Sequence, residues 1–253
     1  MAIADRDIMH GLAKGLAVIE TFSAERPRQA IAGVAAASGL DRATARRCLL
    51  TLAQLGYADY DGKFFTLTPR VLRLGTACLA AMPLPQLVQP LLDRLSDALG
   101  ESSSVCILDG AEIVYVARAA QRKVMSISLM AGSRLPAYCT SMGRVLLAAM
   151  PEEDARALVA AAPRPARTAH TLTGVDEIMA ELARVRAQGY ALNDQEVEIG
   201  LRSIAVPVLD ARGAPVAAMN VGVAATQAEP QDLVRLYLPA MRAVQAELRA
   251  MLR

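Results

Sequence analysis

The sequence predicts a two-part α+β protein, in which a small N-terminal unit of helices and one β-hairpin precedes a larger antiparallel sheet with flanking helices. Three observations predict this class. Two helices separated by a tight turn at Gly39 are indicated over residues 30–55, a hairpin signal follows at Asp61-Gly62, and strand-length apolar runs recur after residue 100. The chain has 253 residues, 54% of them hydrophobic and 21% charged, which is enough for two ordinary domains with well-buried cores.

The N-terminal helices are predicted from the spacing of apolar and small residues. Gly11–Phe22 is expected to form a helix that packs beneath the next two, and residues 23–29, which contain Pro27, are expected to form a loop. The apolar residues of this first helix recur at three and four positions: Leu12, Leu16, Ile19 and Phe22. A second helix ends at Gly39, which can take the positive φ of a tight turn, four residues after the small Ala35.

A third helix, Arg42–Leu55, is predicted after Asp41, whose side chain can cap its N-terminus. Its apolar residues are expected to form one buried stripe: Ala45, Cys48, Leu49, Leu52 and Leu55. Four residues near its start are expected to lie outside that stripe: Arg42, Thr44, Arg46 and Arg47. Two strands, Tyr57–Tyr60 and Lys63–Leu67, are then predicted around a two-residue turn at Asp61-Gly62.

Helix, tight turn, basic helix and hairpin, in this order, form the plan of a winged helix-turn-helix, whose recognition helix reads duplex DNA with its N-terminal residues. Helix pairs also occur in proteins that never touch DNA, but a hairpin directly after the basic helix favours DNA binding. We expect the four helix residues to contact bases and phosphates, and Lys63 to contact the DNA backbone or minor groove. Residues 1–75 carry ten Lys and Arg against seven Asp and Glu, so a few placed cations, doubled by dimerisation, must supply the affinity.

Residues 69–84 are predicted to link a domain over residues 1–68 to a domain over residues 85–253. Thr68-Pro69 opens a helix that runs from Arg70 to about Ala81. Its apolar residues do not form a single stripe, which is typical of a helix held in an interface. Three prolines then mark the boundary: Pro83, Pro85 and Pro90.

The C-terminal domain is predicted to combine strands joined by hairpins with helices between them, which favours an antiparallel α+β fold. The predicted strands are Ser102–Leu108, Glu112–Ala119, Lys123–Met130, Leu201–Leu209 and Pro215–Ala225. The predicted helices are Pro85–Leu99, Ser141–Met150, Pro151–Ala162, a segment capped by Thr173 that ends at Gln188, and Gln231–Arg253.

Two segments of this domain are candidate ligand sites. Residues 139–144 follow an irregular stretch and begin a helix. The free N–H groups and the positive dipole end near Ser141 suit a carboxylate. The alternative is a capped helix start with nothing bound. Residues 193–203 are polar and join a helix to a strand, and a solvated loop is the alternative there. Asn220 interrupts an apolar strand and needs a partner or water, so we expect a pocket lined by Ser141, Ser203 and Asn220 if these segments meet.

Composition narrows the function classes further. The sequence contains no run of about eighteen apolar residues, so no membrane span is expected. The first residues lack the pattern of a secretory signal. The cysteines are scattered, as expected of buried thiols in a reducing cytoplasm: Cys48, Cys78, Cys106 and Cys139. With only His10 and His170, neither a metal site nor a cofactor is expected. An enzyme with Cys139 as nucleophile and His170 as base is the competing class, but no hydrolase, phosphate-loop or metal-ligand motif supports it, so no catalysis is expected.

The chain resembles the IclR family of transcriptional regulators in four stretches: Ala35–Leu40 with Arg42–Leu55, Arg134–Arg144, Gly189–Glu196 and Gly200–Pro207. The last stretch is similar to the family's C-terminal signature. Three stretches resemble more closely the subgroup that controls the β-ketoadipate pathway of aromatic-acid breakdown: Arg46–Leu49, Glu101–Ser104 and Tyr138–Arg144.

This resemblance implies a winged helix, a dimerising linker helix and a GAF-like effector domain that often forms tetramers. It implies an aromatic or dicarboxylic acid effector, such as 4-hydroxybenzoate, protocatechuate or β-ketoadipate, and RNA polymerase as a candidate partner beside operator DNA. The family pattern places effector contacts on Ser141, Met142, Asn193, Ser203 and Asn220. Many members carry an acid, a cysteine and a small residue where Asn193, Ser203 and Met142 stand here, so the pocket chemistry differs.

The leading hypothesis is therefore a cytoplasmic, effector-responsive regulator that activates aromatic-acid catabolic genes. Two alternatives stay open: a repressor of the same family that responds to another small carboxylic acid, and a DNA-binding protein without an effector. An effector can act only by binding one arrangement of the dimer more tightly than another.

Overall fold

A computed structural model of the chain describes residues 4–23, 25–121 and 129–252, with the backbone alone at residues 78–80. The chain divides into two compact units, Met1–Ala81 and Met82–Arg253. Within these described ranges, no helix combines the length and apolar character needed to cross a membrane. In the same ranges, no group of three or more His, Cys, Asp or Glu side chains is placed to hold a metal ion.

The first unit combines helices with a small antiparallel sheet of strand order β1-β3-β2. Its elements in chain order are α1 (His10–Glu20), β1 (Arg28–Gln29), α2 (Ile31–Ser38), α3 (Arg42–Gln54), β2 (Ala58–Tyr60), β3 (Phe65–Leu67) and α4 (Leu72–Ala81). The core of this unit includes Val18 of α1, Val34 of α2, Leu49 of α3 and Phe65 of β3, all fully buried. The predicted helix-turn-helix with its wing is therefore present.

The turn between α2 and α3 has the predicted chemistry. Gly39 takes a left-handed conformation, with φ of 69°, and the Asp41 carboxylate accepts a hydrogen bond from the backbone N–H of Thr44 at 2.9 Å. This hydrogen bond lowers the pKa of Asp41. Two burial expectations for α3 are wrong, because the Thr44 side chain turns toward the core and is 8% exposed, while Leu55 at the helix end is 53% exposed.

The wing loop is longer than the sequence predicts. Tyr60 pairs with Phe65, so residues 61–64 form the loop in place of a two-residue turn at Asp61-Gly62. The Asp61 carboxylate accepts hydrogen bonds from the backbone N–H groups of Phe64 at 2.7 Å and Lys63 at 2.9 Å. These bonds hold the pKa of Asp61 well below its usual range and stabilise the wider loop.

Two further expectations for this unit are corrected. Arg28–Gln29 form strand β1 where a loop is expected, because they pair with β3. Ile19 on α1 and Phe22, two residues beyond its end, pack against the core as predicted, but Leu12 and Leu16 are 61% and 45% exposed. The apolar stripe of α1 is thus only partly covered within one chain.

The second unit is a six-stranded antiparallel sheet with helices on both faces. Its elements in chain order are α5 (Pro83–Leu99), β4 (Ser102–Asp109), β5 (Glu112–Ala119), β6 (Arg134–Pro136), α6 (Ser141–Ala148), α7 (Glu152–Ala161), α8 (Val175–Gln188), β7 (Ala191–Asp194), β8 (Leu201–Leu209), β9 (Pro215–Ala224) and α9 (Pro230–Met251). The strand order is β6-β5-β4-β9-β8-β7. One apolar core joins α5 and α9 to one face, and a second joins α6, α7 and α8 to the other.

The predicted antiparallel α+β class is confirmed, but several elements differ in detail. The short edge strands β6 and β7 are missing from the sequence prediction, because three or four residues are too few for alternation to show. Helix α8 begins at Val175 with Gly174 at the N-cap, so the expected cap by Thr173 is wrong. Most of the predicted strand Lys123–Met130 lies outside the described residues, and its last two residues are not in a strand.

The start of α6 lies unusually close to the segment before it. Thr140 caps the helix by accepting a hydrogen bond from the N–H of Gly143 at 3.1 Å. A Cβ atom at Gly143 would lie 2.3 to 2.6 Å from the backbone of Ala137, closer than real Cβ contacts. Only glycine fits there, and this close packing positions the first turn of α6.

Replacing Gly143 by alanine tests this packing. We expect Gly143→Ala to lower the free energy of unfolding of the second unit by about 2–3 kcal/mol, the upper part of the usual range for overpacking. Urea unfolding followed by circular dichroism measures the change. Gly222→Ala is the control, because its Cβ would meet only the Leu201 side chain at 3.9 Å. Equal stability of Gly143→Ala and the parent would contradict the packing argument.

Candidate functional site

A β-bulge in β5 brings two polar side chains to the same face of the sheet. Cys106 of β4 pairs with Tyr115, and the preceding Val105 pairs with Ala117, so Val116 is one extra residue in β5. In a regular strand, residues 115 and 118 face opposite sides. The bulge places both Tyr115 and Arg118 on the face that α6 covers.

Two rows of small and polar residues cross this face at right angles to the strands. Arg118 of β5 lies opposite Ser104 of β4, which lies opposite Asn220 of β9, which lies opposite Ala205 of β8. In the adjacent row, four residues follow in the same way across four strands: Ser102, Gly222, Ser203 and Asn193. Neither row carries a large apolar side chain, which leaves space above the sheet.

The first turn of α6 covers these rows. The hydroxyl oxygens of Ser141 and Ser203 form a hydrogen bond of 2.8 Å, which joins the helix start to the sheet. Together these elements border a small cavity of about 30 Å³, which is enough space for one or two water molecules, so an acid ligand requires side chains of the lining to move apart. The polar residues that line it are Ser102, Tyr115, Arg118, Thr140, Ser141, Ser203 and Asn220, and the others are Leu129, Leu135, Met142, Val197, Leu201 and Gly222.

Four of the five predicted effector residues therefore line one cavity. They are Ser141, Met142, Ser203 and Asn220. The fifth, Asn193, does not line the cavity: its amide donates to the Cys139 carbonyl at 2.6 Å and its Oδ1 accepts from the N–H of Glu196 at 3.3 Å. Asn193 thus joins the segment before α6 to the segment after β7.

Arg118 gives the cavity a positive charge that no carboxylate of the described chain neutralises within ion-pair distance. Its Nη1 donates to the Ser104 hydroxyl at 3.0 Å. Burial lowers the pKa of this guanidinium, but an arginine stays protonated at neutral pH. Arg118 is half-buried, so its guanidinium has lost part of its hydration without gaining a counter-ion, and a ligand carboxylate would supply one with bidentate geometry. Arg118 is not predicted from the sequence, because one arginine in an apolar strand carries no sign of the bulge.

A buried ion pair holds the cavity wall in place. The Arg144 guanidinium donates from two nitrogens to the Glu196 carboxylate, at 2.5 and 2.6 Å. Arg144 also donates to the Tyr138 carbonyl at 3.0 Å, and Glu196 accepts from the N–H of Leu172 at 3.0 Å. Arg144 is therefore satisfied by protein groups, in contrast to Arg118, and its role is to fix α6 to the segment after β7.

The Cys139 thiol does not suit a nucleophile. Burial raises its pKa to about 11, so the thiol stays protonated at neutral pH. Its Sγ lies 3.8 Å from the carbonyl of Pro136, to which it donates, and His170 is exposed. Cys139 is an inert core residue.

The first unit presents a separate cationic surface on α3. Arg42, Arg46 and Arg47 are exposed, and no carboxylate in the described part of the chain forms an ion pair with any of them. Thr44 lies beneath them and its hydroxyl accepts a hydrogen bond from Arg47 at 3.3 Å. The sequence predicts that the Thr44 side chain faces outward, but it is buried and contacts the Arg47 guanidinium.

The wing adds two cations to this unit. Lys63 is exposed in the loop, with its ammonium 5.2 Å from the centre of the Phe64 ring. The Arg28 guanidinium lies 4.3 Å from the same ring and forms an ion pair with Asp61. Arg28 is not predicted from the sequence, because residues 23–29 have the composition of a loop and the β1–β3 pairing that places Arg28 at the wing leaves no sequence signal.

Known proteins share both units. The family model described as IclR helix-turn-helix domain matches residues 11–62, and the model described as Bacterial transcriptional regulator IclR C-terminal matches residues 76–248. The chain is 44% identical over 245 residues to the Pca regulon regulatory protein of Pseudomonas putida, covering 96% of this chain and 84% of that protein. It is 37% identical over 252 residues to the p-hydroxybenzoate hydroxylase transcriptional activator of Acinetobacter baylyi, covering 98% and 93%.

A solved structure extends the likeness to the second unit. The inducer-binding domain of a double mutant of the PobR transcription factor from Acinetobacter, in complex with 3-hydroxybenzoic acid, is 33% identical and superposes with a TM-score of 0.62. The match covers 66% of this chain and 98% of that domain. The family models together span most of the chain, and the relatives match along nearly its whole length. The chain therefore belongs to the IclR family of bacterial transcriptional regulators.

Proposed function

We propose that this chain is a cytoplasmic, effector-responsive activator of aromatic-acid catabolic genes. The observation that carries the proposal is the half-buried Arg118 guanidinium, which faces a small cavity without a carboxylate partner in the described residues. The similarity to Pca and p-hydroxybenzoate regulators supports aromatic-acid catabolism as the regulated process. An aromatic or dicarboxylic acid is the effector, and its carboxylate binds Arg118.

Operator DNA binds to α3 and the wing. Arg42, Arg46 and Arg47 enter the major groove or contact its phosphates, Thr44 orients Arg47, and Lys63 contacts the backbone or the minor groove. The absence of ion pairs at the three arginines within the described chain supports this assignment, because their charge is free to replace counter-ions on DNA.

The acting species is a homodimer or a tetramer of such dimers. Apolar side chains that one chain leaves exposed support self-association: Leu12 and Leu16 on α1, and Leu72 and Leu74 on α4. The effector acts by favouring one arrangement of the dimer, which changes the spacing of the two winged helices on DNA. RNA polymerase is the further partner through which activation occurs.

Replacing Arg46 by alanine tests the DNA surface. On an operator fragment located by footprinting, we expect Arg46→Ala to weaken binding by about tenfold or more and to reduce the slope of log K against log salt by about 1 per protomer. Gel shifts at several salt concentrations measure both. Arg242→Ala removes an equal charge from an exposed site on α9 and serves as the control. Identical affinities and slopes for Arg46→Ala and the parent would rule out the assigned role.

Replacing Arg118 by glutamine tests the effector site. Loss of a buried charge pair costs about 2–5 kcal/mol, so we expect the Kd for a hydroxybenzoate to rise by about 30-fold or more. Titration calorimetry with the full chain measures the Kd. Arg134→Gln is the matched control, because Arg134 on the neighbouring strand already pairs with Glu112 and Asp109.

Two results would count against the effector assignment. If Arg118→Gln binds hydroxybenzoate as tightly as the parent, the carboxylate binds elsewhere. If no aromatic or dicarboxylic acid binds the parent at all, the chain regulates without such an effector.

A further inference from the structure

We propose that Arg28 is a further DNA contact of the wing, and that the Asp61 carboxylate occupies its guanidinium until duplex DNA displaces it. The proposal rests on the DNA binding proposed above, to which it adds one residue and a competitor built into the wing. Phosphate oxygens and the acceptor edges of bases in the minor groove are the parts of the duplex that a guanidinium binds.

Strand β1 presents Arg28 on the outer face of the small sheet. Successive side chains of a strand point to opposite faces, and the neighbouring Gln29 is buried and lies opposite the fully buried Phe65. The Gln29 amide donates to the Thr21 carbonyl at 2.8 Å, which anchors the strand. Arg28 therefore projects outward from a strand whose position is fixed.

The Phe64 ring orients the Arg28 guanidinium without neutralising it. The guanidinium carbon lies 4.3 Å from the ring centre, and the Lys63 ammonium lies 5.2 Å from the centre of the same ring. A ring face attracts a cation but accepts no conventional hydrogen bond from the outer edge of a guanidinium, so that edge can still bind an anion. The wing thus holds two cations around one ring.

The Asp61 carboxylate divides its two oxygens between the wing loop and Arg28. Oδ1 accepts hydrogen bonds from the backbone N–H groups of Phe64 and Lys63, at 2.7 and 2.9 Å. Oδ2 accepts from the Arg28 guanidinium. A carboxylate oxygen and a phosphate oxygen offer a guanidinium the same kind of charged acceptor, so Asp61 takes the place that a DNA phosphate would otherwise fill.

Exposure to solvent makes the ion pair between Arg28 and Asp61 exchangeable. The two side chains are 57% and 45% exposed, and an exposed ion pair contributes little to stability. Duplex DNA carries one negative charge per about 1.7 Å of its axis, so its field at a docked wing exceeds that of a single carboxylate. Asp61 therefore lowers the affinity for DNA without preventing binding.

Replacing Asp61 by asparagine separates the roles of its two oxygens. Asn keeps an oxygen for the loop N–H groups and removes the charge that faces Arg28. On an operator fragment located by footprinting, we expect Asp61→Asn to lower the Kd by about threefold or more and to steepen the slope of log K against log salt by about 1 per protomer. Gel shifts at several salt concentrations measure both. Glu20→Gln is the matched control, because it removes an equal charge from an exposed site on α1 and should change the Kd less.

A double variant, Arg28→Ala with Asp61→Asn, distinguishes a DNA contact from general electrostatics. It has the net charge of the parent, so long-range electrostatics alone predicts an equal Kd. Because the contact is lost, we expect its Kd to rise by about fivefold or more. Urea unfolding checks the fold, and Arg28→Gln in place of alanine gives a second reading if alanine disturbs β1.

Two results would overturn the proposal while the proposed function stands. One is a Kd for both double variants equal to that of the parent at every salt concentration, which would leave the ion pair as a clip within the wing. The other is an Asp61→Asn affinity no higher than that of Glu20→Gln. Failure of the parent to bind operator DNA at all would instead overturn the proposed function.

Two operator fragments identify the part of the duplex that Arg28 contacts. They differ only in the flank that the wing protects, which is A·T-rich in one and G·C-rich in the other. A guanidinium in the minor groove favours the narrow groove of the A·T-rich flank, and the double variant would lose this preference. A phosphate contact predicts an equal loss of affinity on both fragments, and either result supports Arg28 as a DNA contact.

Discussion

One extra residue in β5 determines the chemistry of the cavity. Because Val116 has no partner in β4, Tyr115 and Arg118 lie on the same face of the sheet. In a strand with regular alternation they would lie on opposite faces. Without the bulge, the Arg118 guanidinium would point into the apolar core beneath α5 and α9, where no ligand could neutralise it. With the bulge, it lies beside Ser104, in one of the two rows of the sheet that carry no large apolar side chain.

The fully buried Arg144 and the half-buried Arg118 have opposite roles for the same electrostatic reason. Arg144 is fully paired with Glu196, so it stabilises the cavity wall and has no capacity left for a ligand. Among the described residues, the Arg118 guanidinium donates only to the neutral Ser104 hydroxyl, so part of its hydrogen-bonding capacity there is available to an anion. The close packing of Gly143 on Ala137 and the bond between Ser141 and Ser203 then keep α6 above the polar rows.

The sequence predicts much of this architecture, and the exceptions have physical reasons. Long elements with clear periodicity, such as α3, β8 and β9, are predicted near their observed bounds, and the helix start at Ser141 is confirmed. Short strands that form only through pairing with a neighbour, such as β1, β6 and β7, contain too few residues for an alternating apolar pattern to be recognised in the sequence. The position of Arg118 is not predictable because a bulge depends on the register between two strands. Asn193 does not line the cavity described above, because its side chain is hydrogen-bonded to backbone groups.

A crystal structure of the full chain with 3-hydroxybenzoate tests most directly whether a ligand carboxylate neutralises Arg118 inside the cavity. We expect the ligand carboxylate to lie within hydrogen-bond distance of the Arg118 guanidinium, beside Ser104. A carboxylate seated at the first turn of α6 with Arg118 unbound, or a ligand outside the cavity altogether, would contradict it.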